Sequence, residues 1–223
     1  MANFIIVGAG GFGREVFQWL EDWIQTQPKS DHTIKGFLSL DVDLLKDYDL
    51  PVGVLGSEFD YEIQESDRFI IAIGSAVRKK VVVEELRGRG AKFFGFAHPT
   101  TVVSKSAKIG EGTILCPFAT VCADTKVGQF CTFNIYSSAG HDSTIGHYSV
   151  LSPYATLNGF ATVGEEAFLG THSTILAGKT VGNRARISAN ALVVSNVAED
   201  STCLLYTSPS PRDATLSRMP SSA

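Results

Sequence analysis

The chain has 223 residues, a formal charge of −4 at pH 7 and no run of Lys or Arg, a balance that argues against nucleic acid or an anionic membrane as partner. There is no stretch of eighteen apolar residues, and the N-terminus runs straight into Phe4-Ile5-Ile6-Val7 rather than through a leader, so a soluble cytoplasmic protein of one large or two small domains is expected. The four cysteines make no disulfide or zinc framework, since Cys116 and Cys122 stand six apart and read as small reduced residues.

Residues 3–25 read as a strand, a glycine loop and a helix. The loop is Gly8-Ala9-Gly10-Gly11-Phe12-Gly13, and Val16, Phe17, Leu20, Trp23 and Ile24 follow at helical spacing. This is G-x-G-x-x-G between a strand and a helix, where glycines let backbone amides approach a phosphate and the helix N-terminus adds partial positive charge. A second strand at residues 34–38 is followed by Asp41, late for the acid that holds a nicotinamide ribose. Further strands are expected at residues 69–73 and 93–96, with a helix over 77–87 between them. That is about half a dinucleotide fold, so Gly8, Gly10, Gly11, Phe12, Gly13 and Gly74 read as a mononucleotide or sugar-nucleotide site, with a purely structural glycine turn as the alternative. His98-Pro99 closes this segment, and His98 reads as a junction residue.

From Val103 to Val193 every sixth residue is Val, Ile or Leu except Phe133 and Ala139. Four residues after each stands a small residue, from Ala107 to Ala191, with Lys179 as the exception; Val197 then ends the series. Glycine follows the aliphatic residue at Gly110, Gly128, Gly146, Gly164 and Gly182, eighteen residues apart each time. A period of six inside a period of eighteen is the signature of a three-sided parallel β-helix: the aliphatic residue fills the core and the small one lets the chain turn. Such a prism leaves edges and faces to be covered, and Phe118, Phe130, Tyr136 and Tyr154 supply apolar surface, so a trimer is expected.

Two polar departures interrupt the prism. Asn134 replaces the glycine after Phe133, and Ala139-Gly140-His141-Asp142 breaks the aliphatic register. His141 occupies an outward position of its hexad beside a carboxylate. An exposed surface histidine is the plain reading, but the disturbed register and the adjoining acid favour a proton-transfer role.

From Cys203 onward the register stops and Ser, Pro and Arg take over. Residues 203–223 resemble the translation of a sequencing adapter and are expected to be a non-native tail. On that reading the native ending is missing.

The glycine loop with Arg14-Glu15-Val16, His98-Pro99, Asn134, His141-Asp142-Ser143-Thr144-Ile145-Gly146 and Asn158-Gly159 together resemble the sialic acid O-acetyltransferase type of bacterial sugar acetyltransferase, a family that includes N-acetyltransferases of UDP-4-amino sugars. The resemblance implies an α/β Rossmann-like N-terminal domain (residues 1–98) followed by an all-β left-handed parallel β-helix (residues 99–202), assembled as a homotrimer with active sites between subunits. It implies acetyl-CoA as co-substrate, a sugar or UDP-sugar acceptor, and no metal. His141 would be the general base, Asp142 its acidic neighbour with Asn134 nearby, Gly159 an N–H donor at the thioester, and Thr171 and Ala189 residues along the acetyl-CoA arm. Phe12 stands where many members carry histidine, as does Val150. Two alternatives remain: a trimeric sugar-nucleotide scaffold without catalysis, and a zinc hydratase using His141, His147 and His172.

Overall fold

A computed structural model describes residues 2–27 and 31–205. The N-terminal segment is a parallel sheet of four strands in the order β3-β2-β1-β4, comprising β1 (Asn3–Val7), β2 (Thr33–Leu38), β3 (Val54–Gly56) and β4 (Asp67–Ile71). Alternation along the strands sorts the core. Phe4, Ile6, Phe37 and Ile70 pack against helix α1 (Gly11–Gln25), and Ile5, Val7, Leu38, Phe69 and Ile71 pack with helix α2 (Ala76–Gly88) on the opposite face. α1 buries Gly13, Val16, Phe17 and Leu20, a single stripe at helical spacing.

The rest is a left-handed parallel β-helix of two-residue strands arranged in three faces. Among the described residues the first face has seven strands, the second six and the third five. Until the last coil each strand pairs with the one eighteen residues on, as Val127 with Ile145 and Ile145 with Val163. The aliphatic register forms one continuous core from Leu115 to Val193. The small register is buried in the corners, where hydroxyls also bond the adjacent coil: Thr125 Oγ1 donates to the Gly140 carbonyl at 2.9 Å and Ser149 Oγ to that of Gly164 at 2.7 Å.

The turning residue is not the small one, as the spacing had suggested, but the residue before it. Phe118, Asp124, Phe130, Tyr136, Asp142, Tyr148, Tyr154, Phe160, Glu166, His172, Arg184 and Asn190 all have φ between 55° and 62°. This left-handed region costs a non-glycine residue about 1–2 kcal/mol, and the small residue that follows simply fits inside the bend.

The N-terminal domain sits on the first face, whose outward residues Ile114, Thr132 and Val150 are buried, whereas Lys108, Lys126, Thr144, Thr162 and Thr180 on the third face are exposed. Phe130 is buried in this seam, edge-on to Phe93 at 5.0 Å and stacked on Tyr148, so it is not part of the open apolar surface expected of it. Lys79 of α2 is fully buried there too, donating to the Phe130 carbonyl (3.0 Å) and Thr132 Oγ1 (2.8 Å), and burial pushes its amine down to about 8. His98 bridges the two parts as a junction, with Nε2 3.3 Å from Asp22 of α1.

Two boundaries differ from expectation. Phe93 makes only an isolated bridge to Phe69, and Phe96–Ala97 pairs with Ile114–Leu115 as the first strand of the prism, ahead of residue 99. Gly95 permits this, because a Cβ there would lie 2.4 Å from the Thr113 carbonyl oxygen of the next coil. At the other end Thr202–Cys203 pairs with Arg186–Ile187, so the expected break at 203 falls inside a strand. The last coil is two residues shorter than the others, which moves Val197 under Val181 and Cys203 under Ile187 and defeats a strict period of six. The remainder of the expected tail, residues 206–223, lies outside the described residues.

Candidate active site

The glycine loop joins β1 to α1, and the segment carrying Gly74 joins β4 to α2. Because β2 and β4 flank β1 on opposite sides, these two segments meet at the carboxyl ends of the strands, where the connections diverge. Their glycines do different work. A Cβ at Gly13 would lie 1.9 Å from the Gly8 carbonyl oxygen, and one at Gly8 (φ +106°) 2.7 Å from that of Ala72, so both are demanded by packing. Gly10 and Gly74 face open space, and a Cβ at Gly11 would meet only the end of the Arg14 side chain, at 4.0 Å. Phe12 is half-buried against Trp19 at 6.2 Å. Asp41 is exposed and its carboxylate accepts from the Asp43 N–H at 3.0 Å within its own loop.

His141 and Asp142 stand at the corner between the second and third faces. His141 Nδ1 lies 2.9 Å from Asp142 Oδ2, with the two side chains 58% and 44% exposed. A carboxylate only accepts, so Nδ1 carries the proton of this contact and, in the neutral ring, Nε2 keeps its lone pair. The ring is held from two sides. Phe160 meets it edge-on at 5.1 Å, and the ring covers Gly159 of the next coil so closely that a Cβ there would lie 2.6 Å from Nε2. Among the described residues the Gly159 N–H has no hydrogen-bond acceptor. Asp142 takes the left-handed turn position at φ 57°, one that Asp tolerates better than most residues.

Asn134, Thr171 and Ala189 lie at a different corner, between the first and second faces. The Asn134 side chain accepts from the Ile135 N–H at 2.7 Å. Thr171 and Ala189 share a groove with Ser152, Phe168, Arg186 and Ser188. The expected site residues therefore fall into two groups on opposite edges of the second face: His141, Asp142 and Gly159 on one, Asn134, Thr171 and Ala189 on the other. One chain does not bring them together. Sequence reasoning missed Arg186 and Phe168, which are outward strand residues and carry no motif. His141, His147 and His172 occupy the three different corners, and His147 Nδ1 accepts from the Gln129 N–H at 2.9 Å, so a single chain cannot ring one ion with them.

The fold and these corners define a hexapeptide-repeat β-helix carrying a small glycine-loop domain. Residues 3–86 match the family model for the PglD N-terminal domain. PerB from Caulobacter crescentus, solved in complex with CoA and GDP-perosamine, is 25% identical, with a TM-score of 0.82 over 92% of this chain and 94% of that one. WeeI from Acinetobacter baumannii is 27% identical, with a TM-score of 0.79 over 92% and 97%. The acetyltransferase domain of PglB from Neisseria gonorrhoeae, 23% identical over the same shares, has the same fold with a TM-score of 0.79. No curated protein matches the chain. The N-terminal part of the chain thus matches the PglD N-terminal domain, and over most of its length the chain has the fold of solved proteins that include a perosamine N-acetyltransferase from Caulobacter crescentus.

Proposed function

We propose that this protein transfers an acetyl group from acetyl-CoA to an amino or hydroxyl group of a sugar, carried on a nucleotide, at sites shared between the copies of a homotrimer. The observation that carries the reading is the His141–Asp142 pair at 2.9 Å, an exposed imidazole lying over Gly159 whose Nε2 makes no hydrogen bond among the described residues. Nε2 takes the proton of the acceptor as its nitrogen or oxygen attacks the thioester carbonyl, and Asp142 steadies the imidazolium. The Gly159 N–H donates to the oxyanion, and collapse of the tetrahedral intermediate expels the CoA thiolate, which recovers the proton from His141.

The separation of the two residue groups across the second face supports the shared site. Threefold assembly sets the corner bearing Thr171, Ala189 and Asn134 of one copy against the His141 corner of the next, and so encloses the acetyl-CoA arm. PerB holds CoA and GDP-perosamine. By analogy, Gly8, Gly10, Gly11, Phe12, Gly13 and Gly74 would receive the diphosphate of the acceptor, with Gly10 and Gly11 offering the unobstructed approach. The test is thiol release from acetyl-CoA with UDP- and GDP-linked amino sugars. Binding of both substrates without release would favour the non-catalytic scaffold instead.

A further inference from the structure

We propose that Arg186 is the phosphate anchor of coenzyme A, a specificity-determining residue that tells the coenzyme from a simple thioester. The inference rests on the acetyl-CoA reading above. Two arginines stand close together on the last coils, and their surroundings differ. Arg184 is clamped by Asp200 through two contacts of 2.6 Å, with Glu199 at 3.7 Å, so its charge is answered. Among the described residues the Arg186 guanidinium has no hydrogen bond or ion pair, and its one contact is with the face of Phe168 at 5.0 Å.

Among the described residues Arg186 is also the one charged residue lining the groove of about 290 Å³ that holds Thr171 and Ala189. The other polar groups there are the hydroxyls of Ser152, Thr171, Ser188 and Thr202. An unanswered guanidinium beside hydroxyl donors, with no carboxylate in the lining, is chemistry suited to a phosphoryl group, which arginine can grip through two N–H donors. The Phe168 ring limits where the guanidinium can swing.

Arg186 and Phe168 also line a second cavity of about 510 Å³, which reaches Gly74 and Ser75 at the start of α2. That position raises the acceptor's own diphosphate as a second source of the same chemistry. In the second cavity, however, Glu166 and Asp200 bring negative charge close, although each is paired, with Lys80 and Arg184. The carboxylate-free groove is the better phosphate site.

The experiment is calorimetric binding of coenzyme A, pantetheine and UDP to the full chain and to Arg186→Ala and Arg186→Lys. The side chain is exposed and holds no hydrogen-bond or ion-pair partner among the described residues, so the variants should keep the parent circular-dichroism melt. Coenzyme A binding should weaken about 10- to 100-fold in Arg186→Ala and recover in part in Arg186→Lys, while pantetheine and UDP are unaffected. Equal loss for pantetheine, loss confined to UDP, or no loss for coenzyme A each overturns the proposal. A parent protein that binds no coenzyme A overturns the acetyltransferase reading, and this proposal with it.

Discussion

The two edges of the second face follow one backbone rule and carry opposite kinds of chemistry. At the edge shared with the first face, the left-handed residues of successive coils are Phe118, Tyr136, Tyr154 and His172, stacked with centroids 4.8, 4.9 and 4.5 Å apart and interplanar angles of 12° or less. At the edge shared with the third face they are Asp124, Asp142, Phe160 and Gly178, which form no ladder. Each stacked ring returns about 0.5–1.5 kcal/mol, close to the cost of the left-handed bend, so the first edge offsets its strain with its own side chains. The second edge has gaps between its coils, and His141 lies in one of them over Gly159. A continuous ladder makes an exposed apolar surface for another copy of the chain to cover, and an interrupted one makes room for a ring with a free nitrogen.

The largest test of this contrast removes the ring that fills the gap. His141→Ala should lower kcat by roughly 10²- to 10⁴-fold with little change in acetyl-CoA affinity. If the edges of two copies make one site, co-expressing His141→Ala with Ala189→Trp, which blocks the other edge, should regain activity in mixed trimers. Absence of activity in mixed oligomers, or a monomer by light scattering at micromolar concentration, would break the pairing of the edges.

A glycine pair sharpens the contrast at the next level of effect. A Cβ at Gly159 meets only the end of the His141 ring, an exposed side chain that can swing aside, whereas a Cβ at Gly140 meets the Gly159 backbone N at 2.7 Å and the Asn158 carbonyl carbon at 2.8 Å. Gly159→Ala should therefore keep its melting temperature within a few degrees while losing about 10- to 100-fold in kcat through a misplaced base. Gly140→Ala, one residue before the histidine, should lose stability first. Equal activity in Gly159→Ala and the parent would show that the position of the ring over this glycine is incidental.

How much of this was legible before the fold was known differs along the chain. The prism could be read because its core repeats every six residues. His141 and Asp142 could be singled out because they interrupt that repeat at Ala139. Periodicity gives a residue's place in its hexad but not which corner a neighbouring domain covers, and so Phe130 read like Phe118 although only Phe118 is open. The left-handed turns were hidden, since an aromatic residue there looks like any surface aromatic until its neighbours eighteen residues away are seen to stack. β3 has only three residues, and no alternation can be read from so few. The hexad position of Arg184 or Arg186 does not say which charge is answered, and it is the short final coil, bringing Asp200 beside Arg184, that separates them.

The smallest expected effect lies within the pair itself. Asp142→Asn keeps the left-handed turn, which Asn also tolerates, and keeps an oxygen able to accept from His141 Nδ1, so the ring stays over Gly159. What is lost is the negative charge that steadies the imidazolium during acetyl transfer. Because the imidazole itself stays in place to take the proton, kcat should fall about 10-fold or less, clearly below the loss in His141→Ala. The KM for acetyl-CoA should not move, because the ring still lies over Gly159 and Thr171 and Ala189 are on the other edge. A loss in Asp142→Asn as large as that in His141→Ala would mean that the carboxylate carries the proton transfer and the imidazole positions it, which reverses the roles assigned at this corner.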